Sequence, residues 1–455
     1  MSPAEEHELA QLPEIRGDAV EINVGEQEAA HSATQSLSPC DGGIAAWRLL
    51  IAAFIFEALL WDAYFMIRCF PLSFGVFQNY YSQLPQFKDD RYLSVIGTTA
   101  SGMAYMSAPI MIPFIKRYAK YRRPMIYIGW PICILGLVAA SFANTVPALI
   151  LTQGIMYGAG FITFYYSILS MVNEYWIARR GMAYGFLCSA SGASGAAMPF
   201  IVSTLLHKYG YRTTLRCIAV GLTLSTGPFI PILKGRLPES ATSTPTPTDW
   251  SFLRTPLFWI YSLSNLAMGF GYFFPPLYLP SYATATGLSP TKGALLLALM
   301  SISQVLGQFS FGYLSDKRIS INLLSATATL VAGIAAYTTW GLASTFSLLV
   351  VFALIYGFFG AGYTAMWARM GTAVSSEPTA AFAAFGLLNF GKGIGNVLAG
   401  PIGGALLTSG VDVEDYGVMK YQKVILFTGS CMLFSAAVIP AQYLKRARLQ
   451  LGVRR

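Results

Sequence analysis

IYIGWPICILGLVAASF, Ile126–Phe142, contains no charged side chain and no alternation of apolar and polar positions. That rules against a strand of an outer-membrane barrel, and the run approaches the roughly 20 apolar residues a helix needs to cross a bilayer. The segment just before it is its opposite: KRYAKYRRP, Lys116–Pro124, carries five bases. A charge-free run behind a basic loop reads as a membrane span with its positive end on the cytosolic side.

Working outward, similar apolar stretches begin near Trp47, Tyr92, Val146, Gly181 and Thr213, and with the one near Pro124 they make six. Six more begin near Pro256, Thr291, Ser320, Phe346, Ala380 and Tyr421. Between the sets, Lys234–Thr255 contains SATSTPTPTD, too polar and proline-rich to span. The expected architecture is an all-α membrane protein with twelve transmembrane helices in two six-helix bundles. The bundles are 47–233 and 256–444, joined by a cytosolic linker at 234–255, with a disordered acidic tail at 1–46 and a basic tail at 445–455.

Composition agrees. Of 455 residues, 55% are hydrophobic and 11% charged, against about 25% charged in soluble domains. The formal net charge is +9, but the stretch up to Ala46 holds nine acids and one base, which leaves +17 on the remainder. The bases lie mostly in short loops, where they set orientation, so no nucleic-acid partner is expected. The even-numbered loops and C-terminal tail hold 18 Lys and Arg, the opposite loops 7. Both termini are therefore expected in the cytosol, with the plasma membrane as the expected location. No GxxxxGK[ST] loop is present, two of the three histidines lie in the N-terminal tail, and the six cysteines form no CxxC pair. Neither an enzyme, a metal site nor a cofactor is expected.

Charge inside the spans carries the functional reading, because a charged side chain at a helix centre costs about 2.5–3.5 kcal/mol. Lys392 lies in NFGKGIGNVLAGP of the eleventh span, with Asn389 and Asn396 at i−3 and i+4 on the same face. On one reading that face lines a cavity and Lys392 attracts an anionic or carbonyl-bearing substrate; on the other Lys392 pairs with an acid across the bundle or snorkels to an end. Glu57 in the first span either exchanges protons or pairs with Lys392 or Arg68. Gln304 and Gln308 form an i, i+4 pair that hydrogen-bonds either substrate or a neighbouring helix. Gly185, Gly192 and Gly195 make the fifth span smooth enough for close helix packing. Pro275, Pro276 and Pro401 are candidate kinks, and Tyr157, Phe164, Tyr165, Tyr166, Tyr272 and Trp367 are aromatics able to shape an apolar cavity.

Three motifs carry a family resemblance. Asp41-Gly42-Gly43 is similar to the opening of the monocarboxylate-porter-like group of the major facilitator superfamily, with Ile44 where an aromatic usually follows. EYWIARRGMAYGFLCSASGASG, Glu174–Gly195, resembles that group's motif entering the fifth span, and GYLSDKR, Gly312–Arg318, resembles the superfamily loop after the eighth. The fungal branch is the most similar. The resemblance implies two bundles alternating access to a central site, with Asp316, Lys317, Arg318, Arg179 and Arg180 bracing a cytosolic gate. It also marks departures: Leu72 stands where some carboxylate carriers have a base, Gln304 and Gln308 where they have an acid and an arginine, and PFIKRYAKYRRP lacks the acid equivalent to Asp316. Asp62–Cys69 resembles an eight-residue insertion in the first span.

The expected function is secondary active transport of a small organic molecule, with export of an acidic or polar metabolite as the leading reading. The alternative is proton-coupled monocarboxylate uptake, and a non-transporting membrane sensor is the alternative from another class.

Overall fold

The computed structural model describes residues 38–61, 77, 80–81, 84–87, 96, 103–237, 248–407, 413–414 and 416–441. The Asp62–Cys69 insertion with Arg68, Leu72, the first 37 residues, linker residues 238–247 and the basic tail at 445–455 lie outside them.

Helices follow from the apolar runs because backbone polar groups in hydrocarbon must bond within their own segment. Eight described helices are long and apolar enough to cross a bilayer. The first span is Gly43–Phe56, continuing as a π-helical stretch, Glu57–Trp61. Ala108–Arg117 belongs to the second and Arg122–Ala140 to the third, while the fourth runs through Val146–Leu149, a π-helical Ile150–Met156 and Tyr157–Tyr175. The fifth and sixth form Arg180–Thr226, broken at Gly210, whose φ of 74° suits a residue without Cβ.

The second half repeats the pattern. Its spans are Pro256–Tyr272 with Phe274–Ala285, Pro290–Ser315, Ile321–Ala335 with the π-helical Ala336–Trp340, Phe346–Ala365 with Trp367–Val374, Pro378–Leu406 and Gln422–Val438. Pro256, Pro290 and Pro378 each open a helix, where the missing N–H costs no hydrogen bond. Among the described residues the only strand pairing is the short antiparallel Val413–Glu414 with Gly417–Val418.

Local details depart from the sequence reading. The first span starts at Gly43, ahead of Trp47, and Asp41 before it bonds to the end of the fourth span, so the tail does not extend to Ala46. Phe252, at the end of the linker, packs with Phe258, Ala380, Ala383 and Ala384. Pro275 and Pro276 open the second piece of the seventh span, so the break falls at Phe273. Pro401 sits inside one uninterrupted helix.

The two halves meet along the fifth and eighth spans. A Cβ on Gly185 would lie 2.6 Å from the Gln308 carbonyl oxygen, and one on Gly192 would lie 2.8 Å from that of Ser301. A Cβ on Gly312 would stand 2.6 Å from the Gly181 carbonyl oxygen. Any side chain there would force the backbones apart, which is why small residues occupy the seam. Gly195 lies in the same helix, with surroundings outside the described side chains.

Candidate functional site

A cavity opens between the halves, and every wall comes from a span that faces its counterpart. The N-terminal half contributes Glu57, Tyr105, Tyr165 and Leu169, and from the fifth span Tyr184, Leu187 and Cys188. Across from them stand Tyr272 and Phe273, Gln304 and Gln308, Thr364 and Trp367, and Phe385, Asn389 and Lys392. Thus the first, second, fourth and fifth spans face the seventh, eighth, tenth and eleventh.

Lys392 is 4% exposed. Its Nζ lies 4.1 Å from the centroid of the Tyr272 ring, 5.1 Å from that of Trp367 and 5.6 Å from that of Phe273. The break at Phe273 brings two of these rings to the lysine, and a Cβ on Gly269 would lie 3.2 Å from the Lys392 Cα, so the seventh and eleventh spans touch at this level. A facing ring stabilises a desolvated ammonium by about 2 kcal/mol, which offsets much of the cost of placing charge in a span. Lys392 therefore does not snorkel to a helix end.

Glu57, 5% exposed, begins the π-helical stretch of the first span and lines the same cavity. No ion pair joins it to Lys392; the described ion pairs are Arg122–Glu174 and Arg369–Asp316. Arg68, its other expected partner, is outside the described residues. Asn389 Nδ2 donates to the Phe385 carbonyl at 2.9 Å. Gln308 Nε2 lies 3.5 Å from Thr364 Oγ1, while its Oε1 is buried without a hydrogen-bond partner among the described residues. Gln304 lines the cavity beside it. Asn396 is half-buried and is not a lining residue; it lies on the same face one helical turn, about 6 Å, beyond Lys392. Of the six candidate aromatics, Tyr165, Tyr272 and Trp367 line the cavity, whereas Tyr157, Phe164 and Tyr166 pack in the apolar core.

A second cluster occupies the end of the molecule where the basic even-numbered loops gather, called here the basic face. Asp316, after the eighth span, accepts hydrogen bonds from the backbone N–H groups of Gly181 at 2.9 Å and Met182 at 2.6 Å. These donors are among the first of the fifth span, where four N–H groups lack helical partners and the helix dipole favours an anion. The gate motif leads one to expect Lys317 or Arg318 beside Asp316. Instead Arg369 of the tenth span approaches, its Nε 3.5 Å from Asp316 Oδ1. Lys317 and Arg318 are exposed, and Lys317 lies over the Tyr313 ring. Arg179 is exposed too, and Arg180 is buried and donates to the Trp176 carbonyl.

The opening motif belongs to the same face. Asp41 adopts a left-handed backbone with φ 58°, which Asp tolerates better than most residues. Its carboxylate accepts from Ile177, Ala178 and Arg179 N–H groups at 2.8–3.0 Å. The Asp-Gly-Gly and Glu-Tyr-Trp motifs are thus two sides of one joint, closed by the Trp47–Trp176 ring contact. Glu174 pairs with Arg122 and accepts from Arg236 N at 2.8 Å, tying the third, fourth and sixth spans together.

The first-half loop without an acid is joined differently. Lys116 Nζ donates to the Pro378 carbonyl at 3.3 Å and lies over the Phe382 ring. The acid comes from the other side: Glu377 caps the eleventh span by accepting from Ala380 N at 2.6 Å and from the Thr379 hydroxyl. Sequence reasoning missed Lys116 as a cross-half contact, and Arg369 and Glu377 as the charged groups of the C-terminal half beside these joints. The only available signal was a carboxylate three residues before an apolar run, the ordinary mark of a helix start.

Two bundles around a polar cavity, with charged joints at one face, define a multi-span carrier. The model of the Major Facilitator Superfamily matches residues 110–341, and the chain belongs to that family. It is 26% identical over 432 residues to the MFS transporter asaE of Aspergillus flavus, covering 93% of this chain and 94% of that protein. It is 26% identical to the fujikurins efflux protein of Gibberella fujikuroi (90% and 88% covered) and 24% identical to human monocarboxylate transporter 12 (91% and 83%). The solved human organic anion transporter MFSD10 shares the fold, with a TM-score of 0.60 at 14% identity over 87% of this chain and 97% of that one.

Proposed function

We propose that this protein is a secondary transporter that exports an acidic or polar small organic metabolite by alternating access of the central cavity. The observation that supports this most is a buried ammonium, Lys392, in a cavity walled by both halves. A site shared by two bundles changes its exposure when they rock, and a fixed cation there selects molecules carrying an acidic or carbonyl oxygen. Asn389, Gln304 and Gln308 add neutral hydrogen-bonding groups, and Glu57 supplies a carboxyl able to carry a proton. Asp316, held by the Gly181 and Met182 N–H groups with Arg369 alongside, serves the gate at the basic face, which on this reading is cytosolic, as are both termini. The plasma membrane is the membrane this export requires.

Direction rests on likeness to an efflux protein. Proton-coupled monocarboxylate uptake is the second reading, favoured by the likeness to monocarboxylate transporter 12 and by Glu57 in the cavity. Profiling organic acids inside cells and in the medium, with and without the gene, tests the first. Export predicts intracellular accumulation in its absence, and a reversed distribution selects uptake. An identical distribution, with no flux in reconstituted vesicles, leaves the non-transporting sensor.

A further inference from the structure

Two polar atoms in the cavity wall are buried without a hydrogen-bond partner among the described residues: the indole N–H of Trp367 and Oε1 of Gln308. One is a donor and the other an acceptor. A buried polar group left unpaired is costly, and where it lines a cavity a ligand can supply the missing partner. The donor belongs to the ring 5.1 Å from the Lys392 ammonium. The acceptor is on the eighth span, on the amide that lies 3.5 Å from Thr364, three residues before Trp367.

We propose that the cavity takes a flat, conjugated hydroxy acid or enolic acid, with its acidic oxygen between Lys392 and the Trp367 N–H and its hydroxyl donated to Gln308. This deepens the transport reading above and rests on it. Lys392 holds its ammonium against ring faces beside the Trp367 indole, and that positive charge attracts the acidic end of the ligand. The body of the ligand meets Tyr165, Tyr184, Tyr272, Phe273, Trp367 and Phe385. Rings favour offset or edge contacts with other π-systems, and a planar ligand reaches several of them at once. A lactate-sized acid covers few of these rings. The walls thus select for an unsaturated body as well as an acidic group.

The test uses the full chain in lipid nanodiscs and calorimetric titration with four probes: 3-hydroxy-2-naphthoate, 2-naphthoate, the saturated decalin-2-carboxylate, and lactate. The expected order places hydroxynaphthoate first, with decalin carboxylate about tenfold weaker and lactate weaker still. Gln308→Leu should remove the advantage of hydroxynaphthoate over naphthoate, and Trp367→Phe should weaken both aromatic acids by about tenfold. Thermal melting of each variant identifies folding loss, and the wild-type probe series stands whatever the variants do. Decalin carboxylate binding as tightly as naphthoate, or lactate binding tightest, overturns this proposal and leaves the transport reading intact. Failure of all four acids to bind wild-type protein likewise overturns this proposal, while the transport reading is decided by the metabolite profiles.

Discussion

Asp316 Oδ2 lies 2.6 Å from the backbone nitrogen of Met182, so a carboxylate of the C-terminal half caps a helix of the N-terminal half. With Gly181 as second donor and Arg369 alongside, this joint holds the fifth and eighth spans together at the basic face. Rocking the halves apart must break it.

Hydrogen bonds to a charged group contribute about 1.5–3 kcal/mol each. Both Asp316 oxygens accept a backbone N–H, and Asn would turn an NH2 donor toward one of them where a protonated carboxyl still presents two oxygens, so Asp316→Asn should shift the conformational equilibrium toward opening at the basic face by about tenfold or more. Labelling of a single cysteine placed behind the gate reads that population. Equal labelling rates in variant and wild type, at equal membrane abundance, would remove Asp316 from the gate.

Burial is the largest influence on the Asp316 carboxyl and holds its pKa above the ordinary 3.8, against the lowering by Met182 and Gly181 N–H groups and Arg369; Asp41 pushes the same way as burial. In the open gate the group is solvated and returns toward 3.8. The closed state then binds more protons, so acidification toward 3.8 should favour closure. The same labelling assay should slow as pH falls, and the slope should vanish in Asp316→Asn. Acceleration on acidification would reverse the sign and refute this role for burial.

The joint at the eleventh span puts Lys116 at a helix N-terminus, an unfavourable place for a cation unless Glu377 neutralises it. Glu377→Gln should open the basic face by about threefold, from the loss of a cap and of the charge beside Lys116. Adding Lys116→Met should recover part of that effect, since it removes the cation left uncompensated. No recovery in the double variant would mean that Glu377 acts only as a cap.

Lys392→Met keeps an apolar stem and removes the charge. The variant should lose anion binding by about tenfold or more, and because no ion pair joins Lys392 to Glu57 it should leave no uncompensated charge at Glu57. Glu57→Gln in addition should restore nothing. A destabilised single variant rescued by the double would instead reveal a coupled pair.

Gly185 has no space for a side chain, since an added Cβ would meet the Gln308 carbonyl at 2.6 Å. Gly185→Leu should wedge the fifth and eighth spans apart and arrest the carrier open at the basic face. Crosslinks between cysteines at the ends of these spans should fall accordingly; wild-type crosslinking would contradict the seam.

That the chain is a membrane protein of long apolar helices was legible in the sequence, because hydrocarbon demands such helices wherever the chain crosses it. Glu57, Gln304, Gln308, Asn389 and Lys392 stood out for the same reason, as polar groups in apolar runs, and they line one cavity in the structure. Which way each helix faces was not legible. In a bilayer the lipid side is as apolar as the core, so the hydrophobic stripe that orients a soluble helix is missing. Only tertiary packing brought Tyr272 and Trp367 to Lys392 and left Asn396 outside the cavity lining. It likewise decided that Asp316 meets Met182 and Arg369 rather than its neighbours Lys317 and Arg318. A carboxylate at a helix end takes whatever donors the opposite half presents, and those donors are backbone N–H groups that no side-chain pattern encodes.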